Sequence, residues 1–519
     1  MILAVASLLL FWSLDGRYLW QDEAETALLA KSILRHGVPI AFDGKNVVSQ
    51  EASKEFVAGS RLPYFLWRWS PWVQFYVTAG SFALFGANTL AARLPFAFLG
   101  LGSVYLTYVL AKRLFASLAV ARLSALYLAT SVPFLLHSRQ ARWCAPAYCL
   151  FIGLLLFLEG MASGRRRART GFIVTGVLLF YTNYFVSIGL LAAVLVVAPL
   201  LRASRAFLGR LPAVYAAIAL FVLPGISLFQ VFNKSKPFDD NRYFTYLTYY
   251  SSAYSTFLLP LPIFVLLCGL LIVAQPVPES ATGGKRGLLF LIAITVLDLG
   301  YLALAPWVEF RYMTVLLPVA AILLAVATLW ILRTSLVMGI LLTVVLLATD
   351  ILHMDPFGYL GTFGSEKADR FPSVGPTSFP FLGFLYEVTH HFDAPEYVLS
   401  RYLNRHARTT DVVVTTYDDL PLQFYTRIRV AGGLEGRQLP EAPDWLIRRR
   451  WIMSDEPGKD RSVARHIEDL RLSNKYEPVL IVTPDHMLGT NPDPRHHFFK
   501  GPSSSPPVIM FRKMNNVED

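Results

Sequence analysis

Cysteine is scarce: the 519 residues hold three, and Cys144, Cys149 and Cys268 all fall in apolar stretches. The last third of the chain has none, which excludes a disulfide framework and a cysteine-based metal site there. Charge is scarce too. Only 16% of residues are charged, against a globular norm of about 25%, while 54% are hydrophobic and the mean hydropathy is +0.46. No basic helix, zinc finger or aromatic RNA motif is present, so the pI of 9.4 does not point to nucleic acid. No internal repeat marks a transporter with two related halves. Residues 1–14 lack the Lys or Arg that opens a signal peptide, and Leu14-Asp15-Gly16 is not a small-residue cleavage site. That stretch is short for a span, and it leaves open an N-terminus farther upstream.

What the chain does have is a division of charge. Residues 1–352 carry 27 Lys/Arg and 14 Asp/Glu, a net +13, whereas residues 353–519 carry 20 and 22, a net −2. Crossing a bilayer takes about 20 mostly apolar residues. Such runs occur near 1–14, 92–111, 118–136, 144–162, 170–184, 185–201, 212–229, 254–274, 288–304, 313–331 and 336–352, about eleven in all. With the N-terminus cytoplasmic, the inside loops carry Lys112, Arg113, Arg122, Arg165, Arg166, Arg167, Arg169, Arg202, Arg205, Arg210, Lys285, Arg286 and Arg333. The short outside loops carry only Arg139, Arg142, Lys234, Lys236, Arg242 and Arg311. The positive-inside bias supports that orientation. It sends the two long connections, 15–91 and 353–519, to the same extracytoplasmic side.

The fold expected is therefore an all-α polytopic membrane bundle of about eleven transmembrane helices, residues 1–352, with a small extracytoplasmic α/β domain over 353–519. In the latter, Glu396–His406 and Arg461–Leu472 read as helices and Asp418–Tyr425 as a helical turn. Asp411–Thr416, Asp444–Ile447, Glu477–Val482 and Val508–Arg512 read as strands. Asn491–Pro507 reads as a loop. In the first connection, WQDEAETALLAKSILRHG (20–37) places Ala24, Ala27, Leu28 and Leu34 on one stripe, closed by Gly37 and Pro39. This predicts an interfacial helix with carboxylates at its entrance. A second apolar stretch after Ser70-Pro71-Trp72 ends at Gly86 and suits the membrane surface better than a crossing.

An Asp-Glu pair just after the first apolar run, opening a helix that ends in His-Gly-Val-Pro, resembles the first-loop signature of the GT-C superfamily of membrane glycosyltransferases. That superfamily includes the protein O-mannosyltransferases and the lipid A aminoarabinose transferases, and the chain is most similar to their bacterial relatives. The likeness also rests on SPWVQFYVTAGSFALFGANTLAARLPFAFLG (70–100), SRQARW (138–143), FRYMTVLLP (310–318) and LPLQFYTRIRV (420–430). It covers most of the chain, strongly over 15–160 and weakly over 210–300. The resemblance implies an inner-membrane enzyme that moves a sugar from a polyprenyl-phosphate donor to a glycan, lipid or protein acceptor outside the cytoplasm, with inversion. Lipopolysaccharide or another envelope glycan is the acceptor the family favours. It implies Asp22, with Glu23 beside it, at the acceptor, because a carboxylate can take the proton of the attacking hydroxyl. Arg139, Arg142 and Arg311 are the cations available to the leaving lipid phosphate. Thr26 departs from the aminoarabinose transferases, which carry a basic residue there. Members differ in whether they need a divalent metal ion, and no cofactor is certain here.

Each of these residues has a structural reading beside the chemical one. Asp22-x-x-Glu25 has the form of a capping box, and Glu23 suits the positive end of a helix. Arg139 and Arg142 have the reach to snorkel from helix ends. Arg311 has Glu309 as a neighbour, and Arg93 reads as structural. Asp298, inside an apolar run, reads as a hydrogen-bonded helix contact rather than as half of a proton relay. Tyr243, Phe244, Tyr246, Tyr249, Tyr250 and Tyr254, in the outside loop 230–254, read as an aromatic belt. His390-His391 and His496-His497 lack metal-ligand spacing. A polytopic transporter or lipid flippase is the alternative function, and a membrane scaffold with a binding domain a further one.

Overall fold

The computed structural model describes residues 1–48, 65–201, 204–234, 237–273, 283–353, 380–391, 393–433, 439–449, 462–473, 475–485, 492 and 507–514. The paired histidines at 496 and 497 and most of the loop 491–507 lie outside these residues. The chain divides into two compact units. The first comprises Met1–Trp12, Phe96–Leu385 and Pro492–Arg495; the second comprises Ser13–Pro95, Tyr386–Asn491 and His496–Asp519. The first connection thus belongs with the C-terminal residues in one unit, a different partition from a break at residue 352.

Along the chain, α1 (Ile2–Phe11), α2 (Gln21–His36), α3 (Val73–Phe85) and α4 (Thr89–Phe115) come first. They are followed by α5 (Leu118–Thr130), α6 (Val132–Ser138), α7 (Cys144–Ala162), α8 (Ala168–Thr182) and α9 (Tyr184–Leu201). Next are the short α10 (Arg205–Leu208), α11 (Leu211–Leu228), α12 (Asp240–Phe257), α13 (Leu261–Val273) and α14 (Gly283–Leu302). The single turn α15 (Phe310–Met313) leads into α16 (Leu317–Thr334) and α17 (Leu336–Ala348). Every apolar run read from the sequence falls on helical segments, two of them on bent helix pairs. Among the described residues, five helices are long and apolar enough to cross a membrane, or seven if two bent pairs each count as one crossing.

The bends correct two of the expected spans. The run 118–136 breaks at Ser131, where α5 and α6 diverge by 64°. Pro133, near the start of α6, cannot donate to the preceding turn. The run 254–274 is not one helix either: Asp240–Phe257 and Leu261–Ile272 meet at 94°, with Pro260 at the corner. The tyrosine-rich stretch is consequently no loop. It is α12, capped by the Asp239 carboxylate, which accepts from the Arg242 N–H at 2.7 Å. Tyr250 and Tyr254 are buried along it.

Packing in the first unit follows small residues and hydroxyls. A Cβ at Gly189 would lie 2.1 Å from the Tyr301 ring, so only glycine lets α9 approach α14 this closely. The Tyr127 and Thr328 hydroxyls join α5 to α16 at 2.8 Å. Asp298, fully buried on α14, makes no hydrogen bond through either carboxylate oxygen to the described residues. Among the described residues, the hydrogen-bonded helix contact expected of it is not formed.

The second unit carries the only sheet among the described residues. After α18 (Pro380–Thr389) and α19 (Pro395–His406) come β1 (Val412–Thr415), α20 (Asp419–Tyr425), β2 (Arg429–Gly432) and β3 (Trp445–Arg448). Then α21 (Ser462–Leu472), β4 (Tyr476–Pro484) and β5 (Pro507–Lys513) complete it. The strand order is β2-β1-β3-β5-β4. β1 runs parallel to both β2 and β3, while β5 is antiparallel to β3 and β4. Alternate residues enter two cores, as pleating requires. Val413, Trp445 and Ile447 pack with Leu399, Leu403 and Leu422 on one face. Val414 and Leu446 pack with Val463 and Ile467 on the other.

The first connection is bound to this sheet by polar contacts. Asn46 lies along the free edge of β2: its Oδ1 accepts from Val430 N–H at 2.8 Å and its Nδ2 donates to the Ile428 carbonyl at 3.3 Å. Lys45 Nζ reaches the carbonyls of Thr409 (2.5 Å) and Arg427 (2.6 Å), and Gln423 donates to Val47 O at 3.2 Å. An edge that would invite foreign strands is thereby covered.

Arg93, near the start of α4, fixes the entry to α2. Its Nε and Nη2 grip the two Glu23 oxygens at 2.8 and 2.6 Å. Its remaining N–H groups donate to the carbonyls of Leu14 (2.9 Å), Arg17 (2.9 Å) and Tyr18 (3.1 Å). Glu23 is fully buried and Arg93 nearly so. Arg93 is thus structural, as the sequence suggests.

Two stability outcomes follow. Arg93→Met strands the Glu23 charge and should destabilise by about 3–5 kcal/mol; adding Glu23→Leu should restore most of that loss, read by thermal unfolding in detergent. Gly432 has φ +99° and a Cβ there would sit 2.2 Å from the Thr415 carbonyl oxygen. Gly432→Ala should therefore cost about 1–3 kcal/mol by the same measurement.

Candidate functional site

In the second unit, the acidic pair divides its labour. α2 begins at Gln21, two residues earlier than a capping box at Asp22 and Glu25 requires, with Trp20 at the cap. The Glu23 carboxylate, held by Arg93, accepts from Trp20 N–H at 3.5 Å. Its two oxygens serve the ion pair and the helix start, which makes Glu23 a structural group. Asp22 stands one residue away in the same first turn and is half-buried.

Around Asp22 the C-terminal layer contributes a dense set of polar groups. Gln21 Nε2 donates to Asp419 Oδ1 at 2.7 Å, and Gln21 Oε1 accepts from Leu420 N–H at 3.4 Å. Burial pushes the Tyr417 hydroxyl well above its ordinary range, and the charges of Asp22 and Glu396 push it further. That interaction places Asp22 near the turn after β1. The turn is held by Arg449, buried between Asp418 and Asp485, with the Asp485 contact at 2.5 Å. Asp418 adopts φ 62°, a left-handed conformation that Asp tolerates better than most residues.

Tyr425 ties the other side of the entry. Its hydroxyl accepts from Leu19 N–H at 2.9 Å and meets the Thr89 hydroxyl at 2.7 Å, while its ring stacks on Tyr18 at 3.7 Å. Arg17 pairs with Glu387 at 2.9 Å. Among the described residues, no group of three or more His, Cys, Asp or Glu is arranged to hold a metal ion. His391 pairs with Asp393 at 3.0 Å at an exposed position.

In the first unit, two of the three expected cations carry their charge to the start of α7. Arg311 and Arg142 are the two charges that act on the Cys144 thiol, at the first position of α7. No side chain caps α7, so the positive end of a 19-residue helix dipole adds to them. Trp143 and Tyr312 face each other beside it at 6.1 Å. Arg311 also pairs with Glu309 at 3.5 Å, but with side chains 27% and 37% exposed. A pair this exposed is worth at most about 1 kcal/mol.

Arg139 is differently engaged. Its guanidinium donates to the carbonyls of Leu9 (2.8 Å), Leu10 (3.0 Å) and Trp12 (2.9 Å), closing the C-terminus of α1. Phe384 lies under it at 5.7 Å. Arg139 is thus a helix-ending cation. Sequence reasoning passed over Gln21, Asp419 and Arg449. The one available signal was the Thr-Tyr-Asp-Asp (416–419) that follows the hydrophobic strand Val412–Thr415, since loops at the carboxyl ends of parallel strands are where polar groups gather.

No family profile and no curated protein matches the chain. Solved structures do. ArnT from Cupriavidus metallidurans bound to undecaprenyl phosphate aligns over 98% of this chain and 97% of its own, with TM-score 0.58 and 14% identity. The apo state of the same protein aligns over the same shares with TM-score 0.56. From the first helix to the last strand, the chain has the fold of ArnT, which is the fold that its first-loop residues led one to expect.

Proposed function

We propose that this chain is a membrane glycosyltransferase that takes a sugar from a polyprenyl-phosphate donor. The observation that carries this reading is the fold, which is that of a protein seen with undecaprenyl phosphate; Arg142, two residues before α7, and Arg311, whose charge also reaches Cys144 at the first position of α7, support it. Two guanidinium groups and a helix N-terminus are the chemistry a lipid phosphate requires.

In this reading Asp22 accepts the proton of an acceptor hydroxyl as its oxygen attacks the anomeric carbon. The bond from that carbon to the phosphate oxygen breaks, and its electrons leave with the polyprenyl phosphate. Arg142 and Arg311 meet the charge that develops there. Attack opposite the leaving group inverts the anomeric centre. The acceptor is an envelope glycan, a lipid or a protein hydroxyl, reached on the extracytoplasmic face of the inner membrane, as the positive-inside bias favours. A flippase would want paired charges within the membrane. Asp298 alone does not make such a pair.

Two measurements test this. Glycan mass spectrometry on a deletion strain should show one glycosyl group missing. Wild-type protein should restore it, whereas Asp22→Asn should lower its transfer by about 10²–10⁴-fold. Restoration by Asp22→Asn at the wild-type rate would sink the catalytic assignment. For the phosphate, binding of undecaprenyl phosphate to purified protein should weaken about tenfold or more in Arg142→Ala and in Arg311→Ala. Arg139→Ala should leave that affinity within about twofold, because its N–H groups serve α1.

A further inference from the structure

The parallel part of the C-terminal sheet changes direction at β1. The chain goes from β1 to β2 on one side, then returns to place β3 on the other. In open α/β sheets the crevice at such a switch point, at the carboxyl ends of the strands, is where ligands sit. Here the loop after β1 carries Asp418 and Asp419, and Arg449 directly follows β3.

That position is already filled by the chain itself. Gln21, the first residue of α2, inserts its carboxamide there, donating to Asp419 and accepting from Leu420 N–H. The receiving turn is prepared for it. Arg449 locks Asp418 in its left-handed conformation. Gly433, at φ +75°, leaves room for the Asp419 carboxylate: a Cβ at that glycine would sit 2.5 Å from Oδ1. Gln21, Asp419 and Arg449 are all at least nine-tenths buried.

We infer that the C-terminal α/β layer takes the first turn of α2 as its intramolecular ligand, with Gln21 and Asp419 as the positioning residues that set Asp22. The layer then needs no substrate of its own. Its ligand crevice has become a socket for the helix that carries the acidic residue. The docking rests on geometry alone; its consequence for transfer rests on the glycosyltransferase reading.

Hydrogen exchange on the full-length protein in detergent tests the docking without any activity. Gln21→Leu removes both hydrogen bonds while keeping the apolar bulk. Amides of residues 23–27 should then exchange about tenfold to a hundredfold faster, the loss of one bond to a charged partner, while amides in β1 and β3 keep their rates. Asp419→Asn retains an acceptor oxygen and should leave residues 23–27 protected. Unchanged exchange in Gln21→Leu overturns the inference. So does an equal rise in β1 and β3, which would make Gln21 a prop for the sheet. In the glycan assay, Gln21→Leu should lower transfer by about 10²-fold, the effect of a misplacement near 1 Å, with undecaprenyl phosphate affinity unchanged. If Asp22→Asn transfers normally while Gln21→Leu still loosens residues 23–27, the docking stands and the catalytic reading falls.

Discussion

One guanidinium sets the geometry on which the second unit depends. Arg93 has five N–H groups, and Glu23 with three backbone carbonyls engages all its nitrogens. A buried ion pair usually fails to repay its desolvation unless every remaining donor is satisfied. Here the satisfaction is complete, and the carbonyls that provide it belong to Leu14, Arg17 and Tyr18. The chain between α1 and α2 is therefore drawn around a single side chain. The start of α2, and with it the direction of Asp22, follows.

Seen this way, the adjacent acids are not interchangeable. Neighbours in a helix point about 100° apart, so when Glu23 is turned into the protein its predecessor must face elsewhere. Glu23, held in place by Arg93, thereby fixes the direction of its neighbour Asp22. The cations show a similar separation of duties. Arg139 ends a helix, whereas Arg142, three residues on, lies just before α7, where its charge and that of Arg311 reach Cys144.

Much of the fold was legible because it obeys local rules. Apolar runs became helices, and DVVVTT, the stretch around Trp445 and the stretch around Val479 became strands. β2 was not foreseen: four residues, Arg-Val-Ala-Gly, hold too little pattern to announce a strand. The breaks at Ser131 and Pro260 were readable in principle from proline, but hydropathy averaged over a window conceals them. The identity of the helix cap was hidden because Glu23 is recruited by Arg93, 70 residues away. The Gln21–Asp419 contact was beyond reach, being 398 residues apart: the polar run after β1 marks a turn but says nothing of its partner. Local signals find elements; only the assembled chain reveals which of them must meet.

That separation has a consequence for biogenesis. A ribosome adds about 5–20 residues per second, so Gln21 emerges roughly 20–80 s before Asp419 exists. Through that interval the helix bearing Asp22 has neither its socket nor the strand edge that Asn46 later covers. Membrane insertion must run nearly to the end of the message before the earliest loop can settle. A nascent chain stalled before residue 419 would thus hold its early helices without a finished second unit, and be a natural substrate for quality control.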